Sequence, residues 1–79
     1  MLSASWCGYC AQARRLFVTH AIEYCEFDIE TSRQGAARYR AIGNRGVPVI
    51  LVGRRILQGY AEAPILAAIR AEGLMSRAQ

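Results

Sequence analysis

Between Gly8 and about Ala21 the chain reads GYCAQARRLFVTHA, with Ala13, Leu16, Phe17 and His20 recurring every three or four positions and Gln12, Arg14 and Arg15 largely opposite. That spacing predicts an amphipathic helix. EYCEFDI then alternates, with Cys25, Phe27 and Ile29 on one side and Tyr24, Glu26 and Asp28 on the other, which is the pattern of a strand. On this reading Cys25 points into the core as a small buried hydrophobe. ETSRQGAARYRAIG offers Thr31 or Ser32 as the cap of a second helix and Gly43 as its stop, while Gly35 weakens its first turn. VPVILVGRRILQG carries two apolar runs, Val49 to Val52 and Ile56 to Leu57, around Gly-Arg-Arg. These form a hairpin whose inner strand is covered on both faces. In APILAAIRAEGLM, Pro64 suits a first helical turn, and Ile65, Leu66, Ile69 and Leu74 gather on one side of a third helix.

With a short strand before the first helix, the order is β-α-β-α-β-β-α, an α/β sandwich on one four-stranded mixed sheet. No linker, repeat or low-complexity segment interrupts it, so residues 1–79 are expected to form one domain. A chain of 79 residues buries only about 60–65% of its unfolded surface, which leaves little core to spare. The composition, 53% hydrophobic, is too apolar for a disordered tail, yet no apolar run approaches the about 20 residues that cross a bilayer. The opening MLSAS has neither a basic segment nor a long apolar stretch. No signal peptide is visible, and the expected setting is the cytoplasm.

Charge narrows the partners. The net charge of +4 comes from ten basic residues, all arginine, scattered with no block of five. Without interleaved aromatic platforms this argues against nucleic acid, and no membrane partner is expected either. A basic surface of this kind suits small anionic substrates or acidic partners.

The chemistry concentrates in SASWCGYC, where Cys7 and Cys10 stand three apart behind Trp6. Such a pair can be a metal clip, a structural crosslink or a reversible redox couple. At the end of a strand and the start of a helix, Cys7 meets unpaired backbone N–H groups and the positive end of the helix dipole, and both stabilise a thiolate. Cys10 lies one turn on, within reach of a mixed disulfide formed on Cys7. A zinc site needs four ligands, and only Cys25 and His20 remain to supply the other two, one in a strand and one at the far end of a helix. A crosslink spanning two intervening residues would constrain little of the unfolded chain. Three cysteines are also an odd number for a disulfide framework. The redox couple is the reading that fits.

Taken together, WCGYC before a helix, FDIE at Phe27 to Glu30, GNRGVPVILVG at Gly43 to Gly53 and the glycine turn at Gly59 resemble the glutaredoxins of the thioredoxin-like superfamily. The resemblance runs over nearly the whole chain. It implies a thioredoxin-like fold, with Cys7 as nucleophile and Cys10 as resolving cysteine. It further implies a cis peptide bond at Val47-Pro48 that presents the Val47 backbone to a peptide-like substrate. Tyr9 then flanks the substrate groove, Trp6 and Tyr60 rim it, and Arg38 or Arg45 meets the glycine carboxylate of glutathione. The turn Gly59, Tyr60 and Glu62 holds its γ-glutamyl end.

The chain departs from the family pattern at several of these positions. Gly8 replaces proline after the first cysteine, Gly46 replaces threonine before Val-Pro, Tyr60 replaces the second turn glycine, Ala63 stands where a second acid is usual, and there is no lysine. The altered turn implies a weakened grip on glutathione.

The implied activity is glutathione-dependent reduction of protein disulfides or glutathione mixed disulfides. Glutathione reductase or thioredoxin reductase would supply the electrons. The alternative is a [2Fe–2S] cluster held between two subunits by Cys7 and glutathione from each, since relatives without that proline can carry one. The chain would accordingly be a monomer or a homodimer. Family members also have a longer first strand, so the short one here implies a trimmed start or cover from a second subunit.

Overall fold

The computed structural model describes residues 1–74. The elements run β1 (Leu2–Ser3), α1 (Gly8–Thr19), β2 (Phe27–Asp28), α2 (Arg33–Ala41), β3 (Val49–Val52), β4 (Arg55–Gln58) and α3 (Glu62–Ala71). They build the expected mixed sheet, ordered β2-β1-β3-β4. The central β1 is parallel to β2, pairing Leu2 with Phe27 and Ser3 with Asp28, and antiparallel to β3 through Leu2 and Val49. Between β3 and β4 the two-residue turn Gly53-Arg54 closes the hairpin, Val52 facing Arg55. Among the described residues no helix is long and apolar enough to cross a membrane.

One face of the sheet carries the main core. Ala13, Leu16 and Phe17 of α1, Ile50 and Val52 of β3, and Ile65, Leu66, Ala68 and Ile69 of α3 pack there with Met1. The side chains of α1 that fill this core have the spacing read from the sequence, and Ile50 and Val52 share a face because strand side chains alternate. Leu74, expected on the buried side of the third helix, is instead 59% exposed. It lies beyond Gly73, whose φ of +70° turns the chain out of the helix.

A second correction concerns the strand around Cys25. Alternation over EYCEFDI predicts seven extended residues, but only Phe27 and Asp28 pair. Their partner β1 contributes two residues, so no strand residue is left to pair with Tyr24 to Glu26. Freed from the strand, Cys25 is exposed rather than buried. Its carbonyl accepts a hydrogen bond from the Met1 amino group at 2.6 Å.

The segment before β2 is fastened by a charge. The Arg14 guanidinium donates to both carboxylate oxygens of Glu26, at 2.6 to 3.0 Å, and the buried Ser3 hydroxyl donates to the same carboxylate at 2.6 Å. These bonds, with that of Arg14 foremost, hold the Glu26 carboxyl below its ordinary range and raise the Arg14 guanidinium in turn. A depressed carboxyl stabilises the fold above its unfolded pKa and loses that contribution as pH falls through the folded value. Glu26→Gln is therefore expected to cost up to about 1 kcal/mol at neutral pH, the scale of a solvent-accessible pair. The difference in Tm between the two proteins should close as pH falls below about 4.

On α2, Ser32 is the N-cap, its hydroxyl accepting the Gly35 N–H at 3.0 Å. Gly35 does more than weaken a turn. A Cβ there would stand 2.8 Å from the Asp28 carbonyl oxygen and 3.1 Å from the Phe27 Cβ. The missing side chain is what lets α2 lie against β2. Gly35→Ala should lower Tm although alanine favours a helix by about 1 kcal/mol, because overpacking against backbone costs about 1–3 kcal/mol. Gly35→Val should lower it further. Thermal melts of both variants at or above the parent Tm would refute the close approach.

Candidate active site

Chain direction brings the cysteine pair to the end of β1. After Ala4 the backbone turns, the Cys7 N–H donates to the Ala4 carbonyl at 3.2 Å, and α1 begins. Cys7 is its N-cap, with φ −87° and ψ 111°, and its sulfur accepts the Cys10 N–H at 3.1 Å. Serine or aspartate oxygens usually fill this place. Here the cap atom is the reactive one. The first turn of α1 contains no acidic residue to oppose a negative sulfur.

Cys7 and Cys10 are joined by a disulfide. Cys7 is 7% exposed and Cys10 wholly buried, so an incoming sulfur meets Cys7 first. Ala4, Ile29 and Val47 pack around the pair and form a small core apart from the main one. The Val47-Pro48 bond is cis. The Val47 carbonyl oxygen stands 3.6 Å from the Cys7 sulfur. A helix N-terminus with an inward N–H, a sulfur with slight exposure and a second sulfur wholly covered beneath it can open and close a disulfide by thiolate exchange.

The sequence profile of the family described as Glutaredoxin matches residues 1–57. This chain belongs to the glutaredoxin family. Two strains of Mycobacterium tuberculosis each have a protein carrying the glutaredoxin name that is 38% identical over 50 residues. The match takes in 61% of this chain and 60% of each relative's length. Among solved structures, a buckwheat glutaredoxin–glutathione complex superposes with a TM-score of 0.70 at 21% identity, covering 95% of this chain and 78% of that one. At that identity the likeness establishes the fold, which is the thioredoxin-like one.

The residues expected at a glutaredoxin site are placed unevenly. Cys7, Cys10, Val47 and Pro48 come together, and Gly59 joins them through its N–H, which donates to the Pro48 carbonyl at 2.8 Å. Trp6 and Tyr9, on either side of Cys7 in sequence, are 66% and 62% exposed, so neither serves the core. Tyr60 is half-buried and packs on the main core. Glu62 is exposed in the first turn of α3, and Arg45 is exposed in the loop before Val47, its side chain turned toward Gly43. Arg38 lies elsewhere, over the Phe27 ring at 5.3 Å, in a cleft shared with Met1 and Cys25.

Ile29, on the inward side of the alternating segment, packs in the small core around the cysteines. Another neighbour had no signal in the sequence. Glu30, at the end of FDIE, accepts the Trp6 indole N–H at 3.0 Å and holds that exposed ring. Among the described residues no three histidine, cysteine or acidic side chains group as a metal set.

The exposure of Cys25 changes the labelling pattern expected of the reduced protein. Access alone would favour Cys25 over Cys7. At pH 6, however, the reacting form is the thiolate, and of the three cysteines only Cys7 caps a helix, where backbone N–H groups and the helix dipole stabilise that form. Cys7 should be alkylated fastest there, with Cys10 last because it is covered. Peptide mapping by mass spectrometry reads this directly, and equal labelling of all three would refute it.

Proposed function

We propose that the chain is a thiol–disulfide oxidoreductase that reduces protein disulfides or glutathione mixed disulfides, with glutathione as its reductant. The observation that carries this reading is the Cys7 sulfur at the N-cap of α1, receiving the Cys10 N–H at 3.1 Å. In the reduced protein the Cys7 thiolate attacks one sulfur of a substrate disulfide, forming a mixed disulfide and releasing the other sulfur as a thiolate. The Cys10 thiol, deprotonated as it attacks, then displaces the substrate's second sulfur from Cys7 and closes the Cys7–Cys10 disulfide. Two glutathiones restore the pair. The first attacks Cys7 and frees Cys10, and the second takes the first away as oxidised glutathione.

Family membership supports glutathione as the thiol, and the solved relative of the same fold is a glutathione complex. In this reading Val47 and Pro48 offer backbone groups to the tripeptide, Trp6 and Tyr9 border its cysteine, and Arg45 faces its glycine carboxylate. Gly59, Tyr60 and Glu62 meet the γ-glutamyl end. Ala61, the N-cap of α3, makes no side-chain cap bond, so backbone N–H groups of that first turn are free for a carboxylate. Tyr60 is packed on the core and fills what would be a glycine turn, which weakens the grip. A reducing compartment such as the cytoplasm is where the dithiol state would persist.

A [2Fe–2S] cluster shared by two chains is the second reading. It is favoured by the open space at Gly8, where a Cβ would meet nothing within 4 Å. Its ligand from this chain would be Cys7, whose thiolate suits iron. A brown colour after anaerobic purification, lost in Cys7→Ser, would bring it forward.

The deciding assay follows NADPH consumption with a glutathionylated peptide, glutathione and glutathione reductase, and in parallel with thioredoxin reductase alone. Turnover with glutathione is expected, Cys7→Ser abolishing it and Cys10→Ser retaining part of it toward glutathione mixed disulfides. Turnover with thioredoxin reductase only would replace glutathione as the donor.

A further inference from the structure

The loop that carries Val47 is held by two side chains from different elements. Gly46 takes φ +111°, a conformation open to glycine and strained for other residues. Its N–H donates to the Tyr39 hydroxyl of α2 at 2.6 Å. Its carbonyl accepts from the side-chain amide of Gln58, the last residue of β4, at 2.8 Å. The same amide reaches the Arg45 carbonyl at 3.4 Å. One residue's peptide groups are thus engaged from both sides, directly before the carbonyl that stands 3.6 Å from the Cys7 sulfur. Neither Tyr39 nor Gln58 belongs to the cysteine motif or to the Val-Pro step.

We propose that Tyr39 and Gln58 are positioning residues that fix the Gly46 peptide and so hold the Val47 backbone ready beside Cys7 for an extended, peptide-like disulfide. This rests on the oxidoreductase reading. A glycine at positive φ brings no side chain to anchor itself: a Cβ on Gly46 would meet only the Gln58 amide nitrogen, at 3.8 Å. An unanchored loop would have to be ordered by each arriving substrate, at a cost in binding. Two bonds made beforehand remove that cost. Their effect falls on substrates that pair with backbone and spares those that only exchange sulfur.

The test uses a Cys10→Ser, Cys25→Ser background, in which Cys7 is the only thiol and its mixed disulfide persists. Cys7 captures either oxidised glutathione, which has peptide groups, or cystamine, a disulfide without them. In each case the Cys7 thiolate takes one sulfur and releases the other as a thiolate. Tyr39→Phe and Gln58→Leu should each slow capture of oxidised glutathione about fivefold, the scale of one net hydrogen bond. The rate with cystamine should stay within about twofold. Exchange of the Gly46 amide hydrogen, followed by NMR, should quicken in Tyr39→Phe. Equal slowing with both disulfides would mark a general structural role, and no slowing with either, or unchanged Gly46 exchange, would also overturn the proposal. If Tyr39→Phe does not fold, Gln58→Leu carries the comparison. Failure of NADPH-coupled turnover in the parent protein would strike the oxidoreductase reading alone, because capture by Cys7 needs no reductase.

Discussion

The Cys10 N–H that points at the Cys7 sulfur across 3.1 Å serves two purposes at once. For the backbone it satisfies a donor that the first turn of α1 would otherwise leave open. For the chemistry it places a partial positive charge against the atom that must carry a negative one. Folding of α1 and activation of Cys7 are therefore one event. Whatever disturbs the start of that helix disturbs the thiol.

That helix start is located by a sheet with very little central strand. Leu2 and Ser3 are buried between β2 and β3, and the ladder on either side is short. Side chains supply what the ladder lacks. Ser3 binds Glu26, Glu26 binds Arg14, and so the central strand, the segment before β2 and α1 are drawn into one polar cluster at the surface. On the next element, Gly35 lets α2 come close enough for its helix to rest on the Asp28 carbonyl and the Phe27 stem. The site is fixed by such local fittings rather than by a large core.

The parts legible in the sequence were those set by periodicity and by short motifs. The buried stripe of α1, the Ser32 cap, the β3–β4 hairpin and the Cys7, Cys10, Val47 and Pro48 grouping all follow from spacing or from family resemblance. The misreadings had a common cause. Alternation around Cys25 and the apolar character of Leu74 are properties of a segment, whereas pairing and burial depend on the length of the partner strand and on where a helix stops. Tyr39, Gln58 and Glu30 were invisible for another reason. Each acts through hydrogen bonds to residues from 7 to 24 positions away, and no local pattern encodes such a partner.

The placement of Cys25 also limits which bonds oxidation can make. Cys25 lies beside Met1, at the beginning of β1, while Cys7 and Cys10 follow its end. The two residues of β1 lie between the two places, and the three steps from Met1 to Ala4 span about 10 Å at the rise of extended chain. A disulfide needs Cα atoms within about 7 Å. Of the three pairings that three thiols permit, the folded chain can form only Cys7–Cys10, and the remaining thiol can react only with another molecule. Scrambling within one chain is closed off by topology, so each oxidising equivalent that stays inside the molecule has a single address.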